Sequence, residues 1–179
     1  GVKLVIKNMD FDSLLVALES HKVDTVIAGM NITPERKKSV DFSDPYYAGH
    51  KLFLINKADR NKYKSTKDFT GKKVGAQNGA MEYNLVKENI PNVQEKGLAK
   101  IPSLVLALQS HKVEGVLMDE ATAKAYANNN SNLMAINSHI KIQSGGIAMA
   151  FPKGDKSLEA AANQTVAKIN KEDLVNKKW

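Results

Sequence analysis

The sequence predicts an α/β protein built from two lobes, and three observations support this. Residues 13–29 and 103–119 repeat one pattern, with nine of seventeen aligned positions identical. Each copy is an amphipathic segment, a polar Ser-His-Lys break and an apolar run, which is typical of a helix, a turn and a buried strand. Strands and helices alternate through the rest of the chain. Because solenoid units repeat every ~20–50 residues, a repeat at this longer distance indicates two related lobes.

The sequence of the first part of the chain predicts three strands and two helical segments. Asp10 or Asp12 is expected to cap the first helix. Thr33 and Pro34 favour a helical turn, because proline suits the first helical position. In order, the expected elements are a strand over 2–7, a helix over 11–20, a buried strand over 23–28, a turn over 33–38, an irregular segment over 39–47, a strand over 50–56 and a polar loop over 57–67.

The second part continues the alternation, which predicts largely parallel sheets. The expected strands are 73–76, 92–96, 113–118, 133–136 and 141–151. The expected helices are 79–89, 102–110, 119–128, 155–169 and a short final turn over 174–179, and the asparagine-rich run 128–132 is expected to be a loop.

Two long extended stretches, 46–56 and 141–151, bracket the second lobe, so the chain is expected to cross twice between the lobes. Lobe 1 then consists of residues 1–46 and 147–179, and lobe 2 of residues 47–146. Gly145 and Gly146 lie where a hinge would need backbone freedom.

Composition excludes several classes of protein. Of 179 residues, 42% are hydrophobic and 25% charged, as in globular proteins, and the absence of cysteine excludes disulfides and thiolate metal sites. The net charge of +7 comes almost entirely from scattered lysines, which indicates a solvated basic surface and no nucleic-acid partner. The four histidines lack metal-ligand spacing, and no nucleophile or nucleotide motif occurs. We therefore expect no catalytic residue, no metal and no cofactor.

A small zwitterion fits the charged residues near the predicted strand ends. Gly29 and Asp119 end the two repeated strands, where ligands bind in open α/β sheets. Arg36 offers a fork for a carboxylate, and the helix starting near Gly79 offers backbone N–H groups to an anion. Plainer interpretations remain open: Arg36 as a solvated residue, Asp119 as a helix cap, and the two glycines as an ordinary strand end and turn.

Three segments resemble the amino-acid-binding proteins of ABC importers, of the periplasmic or lipid-anchored type. These are DTVIAGMNITPERKKSVDFSDPYY (24–47), DFTGKKVGAQNG (68–79) and GIAMAFPKG (146–154). The resemblance implies a type II periplasmic-binding-protein clamshell with two crossing hinge strands. It also implies capture of a free amino acid, glutamine first and other polar amino acids next, for delivery to a membrane permease. The implied location is outside the cytoplasmic membrane of a bacterium, with a signal peptide in the precursor.

The resemblance also implies roles for individual residues. Arg36 would bind the ligand carboxylate, Asp119 the α-amino group, and Gly29 and Asn31 the ligand backbone. From lobe 2, the segment 77–82 would close on the ligand, with contacts from Gln77, Gly79, Ala80 and Met81. Tyr46 and Tyr47 would lie at the first crossing.

The chain departs from the family pattern at several positions. Asn31 replaces a usual Ser or Thr, Ala80 a usual Thr, and His21 and His111 stand where glycine often ends the helix. Family members also begin earlier, so lobe 1 is expected to be incomplete at its N-terminus. An incomplete sheet exposes an edge, which predicts dimerisation or strand exchange. Two alternatives remain: a dehydratase-like enzyme on the same fold, and the ligand-binding core of a receptor.

Overall fold

The structure, a computed structural model, describes residues 3–178 and divides the chain into two compact units. Unit 1 contains the described residues up to Ala48 together with those from Ser144 onward, and unit 2 is Gly49–Gln143. In chain order the regular elements are α1 (Leu14–Glu19), β1 (Val40–Phe42), β2 (Lys51–Asn56), β3 (Lys73–Gln77), α2 (Met81–Asn89), β4 (Gln94–Leu98), α3 (Ile101–Gln109), β5 (Gly115–Asp119), α4 (Glu120–Asn129), β6 (Leu133–Asn137), β7 (Ala150–Pro152), α5 (Lys156–Glu172) and α6 (Leu174–Lys178).

Unit 2 is a five-stranded sheet in the order β4-β3-β5-β2-β6, and every residue of β2 is buried. Successive side chains of a strand point to opposite faces. Leu52 and Leu54 accordingly join an apolar cluster that includes α3, whereas Phe53 and Ile55 join a second cluster that includes α2. The sheet is therefore covered on both faces, which explains the continuous apolar run in the sequence of β2.

The prediction of largely parallel sheets is wrong for unit 2, whose sheet is mixed. Strand β3 pairs in parallel with β4 and β5, but β2 runs antiparallel to both β5 and β6. A strand buried on both faces has the same apolar pattern in either direction, so the pattern did not reveal this orientation. One consequence is a register that places Lys51, the first residue of β2, opposite Asp119, the last residue of β5.

Unit 1 contains less regular sheet than the sequence predicts. Its one pair of strands within the described residues is β1 with β7, antiparallel, and isolated bridges join Val26 to Ala150 and Ile147 to both Asn31 and Tyr47. Strand β1 lies in the segment expected to be irregular. The buried apolar residues of this unit are Leu18, Val26, Met30, Ile32, Val40, Phe42, Ala148 and Ala150.

Two predicted strands of unit 1 are wrong, and a third, which begins in unit 2, is much shorter than predicted. Residue 2 lies outside the described residues, and residues 3–7 form no strand. Residues 23–28 contribute only the Val26 bridge, and 141–151 becomes a strand only at its end. A strand needs a neighbour for its N–H and C=O groups, and apolar content does not specify one. The apolar side chains that remain mostly exposed here are Leu4, Val5, Ile6, Val16 and Ile27.

The two repeat copies end their helices in the same way. His21 and His111 both adopt the left-handed conformation, with φ of 54°. In each copy the next residue donates its N–H to the carbonyl five positions earlier, over 2.9 Å from Lys22 and 2.8 Å from Lys112. This is the hydrogen bond of a Schellman helix end, whose left-handed position favours glycine. The repeat seen in the sequence therefore extends to individual backbone bonds, and both histidines terminate helices.

Candidate ligand-binding site

Arg36 in unit 1 is a supported side chain and not a solvated one. It begins a short 3-10 turn, and its backbone N–H donates to Thr33 Oγ1 over 3.2 Å. Its guanidinium donates to the carbonyl of Asn31 over 2.8 Å and lies 5.6 Å above the centre of the Phe11 ring. The planar fork is thus held in one orientation, as bidentate binding of a carboxylate requires.

Asn31 and Gly29 lie on the segment that supports Arg36. Asn31 is buried, and its side-chain Nδ2 donates to Ser144 Oγ over 3.3 Å, so this amide is used within unit 1. Gly29 has a φ of +65°, which favours glycine over residues with a Cβ. The role of Asn31 seen here is to position Arg36 through its carbonyl. Phe11 and Ser144 were not predicted, because contacts between distant segments leave no local signal.

Asp119 in unit 2 follows a buried strand and precedes α4. It occupies the N-cap position of that helix, yet its side chain makes no capping hydrogen bond. Its carboxylate instead accepts a hydrogen bond from Lys51 Nζ. The helix-cap interpretation therefore does not explain Asp119.

Lys51 and Glu82 form a charged cluster with Asp119, a grouping that the sequence analysis missed. The side chain of Lys51 is completely buried, and its Nζ lies 2.6 Å from Glu82 Oε1 as well as bonding to Asp119. Glu82 is in the first turn of α2, where the helix dipole favours a negative charge. Burying an ammonium is costly unless it is paired, and here it has two carboxylate partners. The local signals were a lysine opening an apolar strand and an acidic residue near a helix start.

The electrostatics of this cluster keep Lys51 charged and disfavour the ionised form of Asp119. Burial lowers the pKa of Lys51, but the two carboxylates outweigh burial and hold that pKa above its ordinary value. Burial and the nearby Glu82 charge together raise the pKa of Asp119, against the attraction of Lys51. Asp119 also has the most exposed side chain of the three, at 24%, against 7% for Glu82 and 0% for Lys51.

The other predicted residues of unit 2 surround the start of α2. The Gln77 amide donates to the carbonyl of Ala99 over 2.9 Å, and Met81 packs against the apolar cluster on the α2 side of the sheet. Gly79 forms the turn with a φ of +74°, and Ala80 is at the N-cap without any side-chain cap. The structure thus uses the side chains of Gln77 and Met81 inside unit 2, while Gly79 and Ala80 contribute backbone.

The four predicted hinge residues all lie in unit 1, next to the positions where the chain passes from one unit to the other. Tyr46 donates its N–H to the carbonyl of Ile147 over 2.9 Å, and Ile147 donates back to Tyr47 over 2.8 Å. Gly145 donates its N–H to Ile32 in the same unit over 3.2 Å. Gly146 has a φ of +90°, and a Cβ there would lie 2.8 Å from the ring of Pro45, so only glycine fits.

Neither a metal centre nor a membrane span is found among residues 3–178. No group of three or more His, Asp or Glu side chains there could hold a metal ion. No helix in that part of the chain is both long enough and apolar enough to cross a bilayer.

Comparison with known proteins adds a family to this geometry. The family described as bacterial extracellular solute-binding proteins, family 3, matches residues 1–179. The arginine-binding extracellular protein ArtP of Bacillus subtilis is 33% identical over 100% of this chain and 71% of its own length. A putative ABC transporter arginine-binding protein of Escherichia coli is 31% identical over 96% of this chain and 72% of its own length.

Solved structures agree with the sequence relatives. AbpA of Streptococcus pneumoniae, an amino acid ABC transporter substrate-binding protein bound to L-arginine, matches with a TM-score of 0.94 and 33% identity, covering 99% of this chain and 75% of its own. An ancestral amino-acid-binding protein, described as a precursor of cyclohexadienyl dehydratase, matches with a TM-score of 0.86 and 29% identity. The match covers 99% of this chain and 76% of that chain. The predicted two-lobe α/β fold class is therefore confirmed.

Proposed function

This chain belongs to the bacterial extracellular solute-binding proteins of family 3, and on that premise we propose that it binds a free cationic amino acid such as L-arginine. The observation that carries the binding of a free amino acid is a pair of supported charges of opposite sign, one for the α-carboxylate and one for the α-ammonium. Arg36 is held for a carboxylate by Asn31 and Phe11. Asp119 is a partly exposed carboxylate whose pKa is raised by burial and by the Glu82 charge, so a ligand ammonium would favour its ionised form.

In this proposal Arg36 binds the α-carboxylate of the ligand and Asp119 its α-ammonium. Gly29, Gly79 and Ala80 contribute backbone groups. Asn31 and Gln77 act mainly by holding the binding segments in place, and Met81 by packing α2 onto the sheet. Tyr46, Tyr47, Gly145 and Gly146 serve as the hinge.

The choice of L-arginine over glutamine, the first expectation from the sequence, is supported by the relatives. Two relatives above 30% identity are named as arginine-binding, whereas the ABC transporter glutamine-binding protein GlnH of Bacillus subtilis is 28% identical. Glutamine therefore becomes the second candidate.

The proposal includes a place and a partner. A family of extracellular solute-binding proteins acts outside the cytoplasmic membrane. Several relatives carry the name of an ABC transporter, so we infer delivery of the amino acid to the membrane permease of such an importer.

A thermal-shift screen of the twenty amino acids tests the function. A ligand that binds only the native state stabilises it by RT ln(1 + [L]/Kd), about 2.7 kcal/mol at a hundredfold excess over Kd. We expect L-arginine to give the largest shift and glutamine a smaller one. Mass spectrometry of the recovered ligand distinguishes binding from catalysis, because a binding protein returns the amino acid unchanged whereas a dehydratase does not.

A further inference from the structure

Three charged residues from three elements of unit 2 form one buried cluster. Lys51 opens β2, Glu82 lies in the first turn of α2, and Asp119 ends β5. Lys51 Nζ donates to both carboxylates, and its own side chain has no exposure. One lysine faces two carboxylates, so the cluster carries more negative than positive charge.

We propose that Lys51 and Glu82 are positioning residues that set how strongly Asp119 binds the α-ammonium of the ligand: Glu82 balances the charge of Lys51, which leaves the excess negative charge of the cluster at Asp119. This inference rests on the proposed function, because Asp119 is the group assigned to the ligand ammonium. It adds two residues and a physical reason for the strength of the contact between Asp119 and the ammonium.

The net charge of the cluster determines how strongly Asp119 attracts an ammonium. A buried lysine paired with Asp119 alone would neutralise it, and a neutral pair attracts an added ammonium only weakly. Glu82 supplies the second negative charge. Because Glu82 and Lys51 are almost fully enclosed, that excess charge meets the ligand only through the partly exposed Asp119.

The neighbouring carboxylate of Glu120 does not add to the excess negative charge of the cluster. Glu120, next along the chain from Asp119, is paired with Lys124 over 2.5 Å and accepts the backbone N–H of His50 over 3.1 Å. That carboxylate therefore has its own cation. The repulsion that Asp119 experiences comes from Glu82, and an added ammonium at Asp119 would relieve it.

Replacing buried ion pairs by apolar residues is often neutral or stabilising, so stability alone gives little reason to keep three charged groups here. Charge balance and structural support also make different predictions for a double variant, and this difference provides the test.

The experiment is calorimetric titration of L-arginine into the full chain and four variants. Glu82→Gln leaves Lys51 to neutralise Asp119, so binding should weaken by roughly tenfold to a hundredfold. Lys51→Met leaves two adjacent carboxylates that cannot easily ionise together, so affinity should rise more steeply with pH than in the wild type. The double variant Lys51→Met with Glu82→Gln leaves Asp119 as the sole charge of the cluster and should regain most of the lost affinity.

The matched control is Glu88→Gln, on the exposed side of α2, which should bind L-arginine as the wild type does.

Two results overturn the inference. One is wild-type affinity in Glu82→Gln, and the other is a double variant that binds no better than Glu82→Gln, as a structural role predicts. If the wild type binds none of the twenty amino acids, the proposed function fails, and the charge balance is judged without ligand. In that case carboxyl-carbon NMR should show a lower pKa for Asp119 in Glu82→Gln than in the wild type, and an unchanged pKa overturns the inference.

Discussion

The guanidinium of Arg36 donates a 2.8 Å hydrogen bond to the backbone carbonyl of Asn31, five residues earlier in the chain. This bond and the Phe11 ring hold the side chain before any ligand arrives. Holding a flexible side chain in its binding orientation lowers the entropy lost on binding.

Arg36→Ala should weaken binding of L-arginine by about two to four powers of ten. Charge-assisted hydrogen bonds contribute ~1.5–3 kcal/mol each, and ~1.4 kcal/mol corresponds to a tenfold change. Arg36→Lys should recover only part of the affinity, because a point charge cannot form two parallel bonds. Calorimetry measures both. Arg60→Ala, in an exposed loop of unit 2, is the control and should bind normally; a similar loss there would show that the effect is not specific to the site.

Asp119→Asn should weaken ligand binding and raise the stability of the unliganded protein at neutral pH. The folded-state pKa of Asp119 is raised, so its ionisation opposes folding once the pH exceeds the unfolded value of ~3.9. Removing the charge removes that cost, while the amide oxygen can still accept from Lys51. Thermal unfolding at pH 7 and calorimetry together check this. A destabilised variant with full affinity would contradict the assignment.

Much of unit 2 could be predicted from local pattern. The helices and strands from β3 to β6 lie within a few residues of their predicted positions, because amphipathic spacing, Pro102 and the Asn-Gly turn are local signals. The repeat also indicated that the two helices end at His21 and His111. The backbone hydrogen bonds at these two helix ends have the same pattern and nearly the same length.

What could not be predicted depends on contacts between distant segments. Glu82 lies 31 residues from Lys51 along the chain, and Asp119 lies 68 residues from it, so neither pairing leaves a local signal. The wrong strand at 2–7 has the same origin: its apolar side chains suit a strand, but no described segment pairs with them.

His21→Gly should stabilise the protein by about 0.5–1 kcal/mol, because a residue with a Cβ is strained at a φ of 54° whereas glycine is not. His21→Ala keeps the Cβ and should give no such gain. His111→Gly should gain less, since His111 Nδ1 lies 3.4 Å from the amide of Asn56. Urea unfolding measures all three, and equal effects of glycine and alanine at position 21 would contradict the backbone explanation.

Asp41→Asn should lower stability at pH 7 by up to about 1 kcal/mol, the size of a partly exposed ion pair. Lys153 and Lys156 contact this carboxylate over 2.8 and 2.9 Å, and with the N–H of Gly154 they hold its pKa well below the usual range. A lowered folded-state pKa gives stability that is present above the unfolded value and lost as the pH falls through the folded one. The difference between wild type and variant should therefore shrink below about pH 4. A constant difference from pH 7 to pH 2 would exclude this mechanism.

Self-association through the exposed apolar side chains of unit 1 stays a prediction. Ile6 and Ile27 are 84% and 62% exposed, and exposed apolar groups of this size favour association. Light scattering should detect a dimer, and Ile6→Lys with Ile27→Lys should shift it toward monomer. As a control, the double variant Lys3→Gln with Lys22→Gln should have little effect on self-association. A wild type that is monomeric at high concentration would refute the prediction.

Binding of L-arginine to the wild-type chain is the most direct test of this account, measured by calorimetric titration alongside glutamine. We predict saturable binding of one L-arginine per chain, tighter than glutamine, with the amino acid recovered unchanged. Absence of binding by either amino acid, or conversion of the ligand to a product, would contradict the central claim that this chain captures a free cationic amino acid.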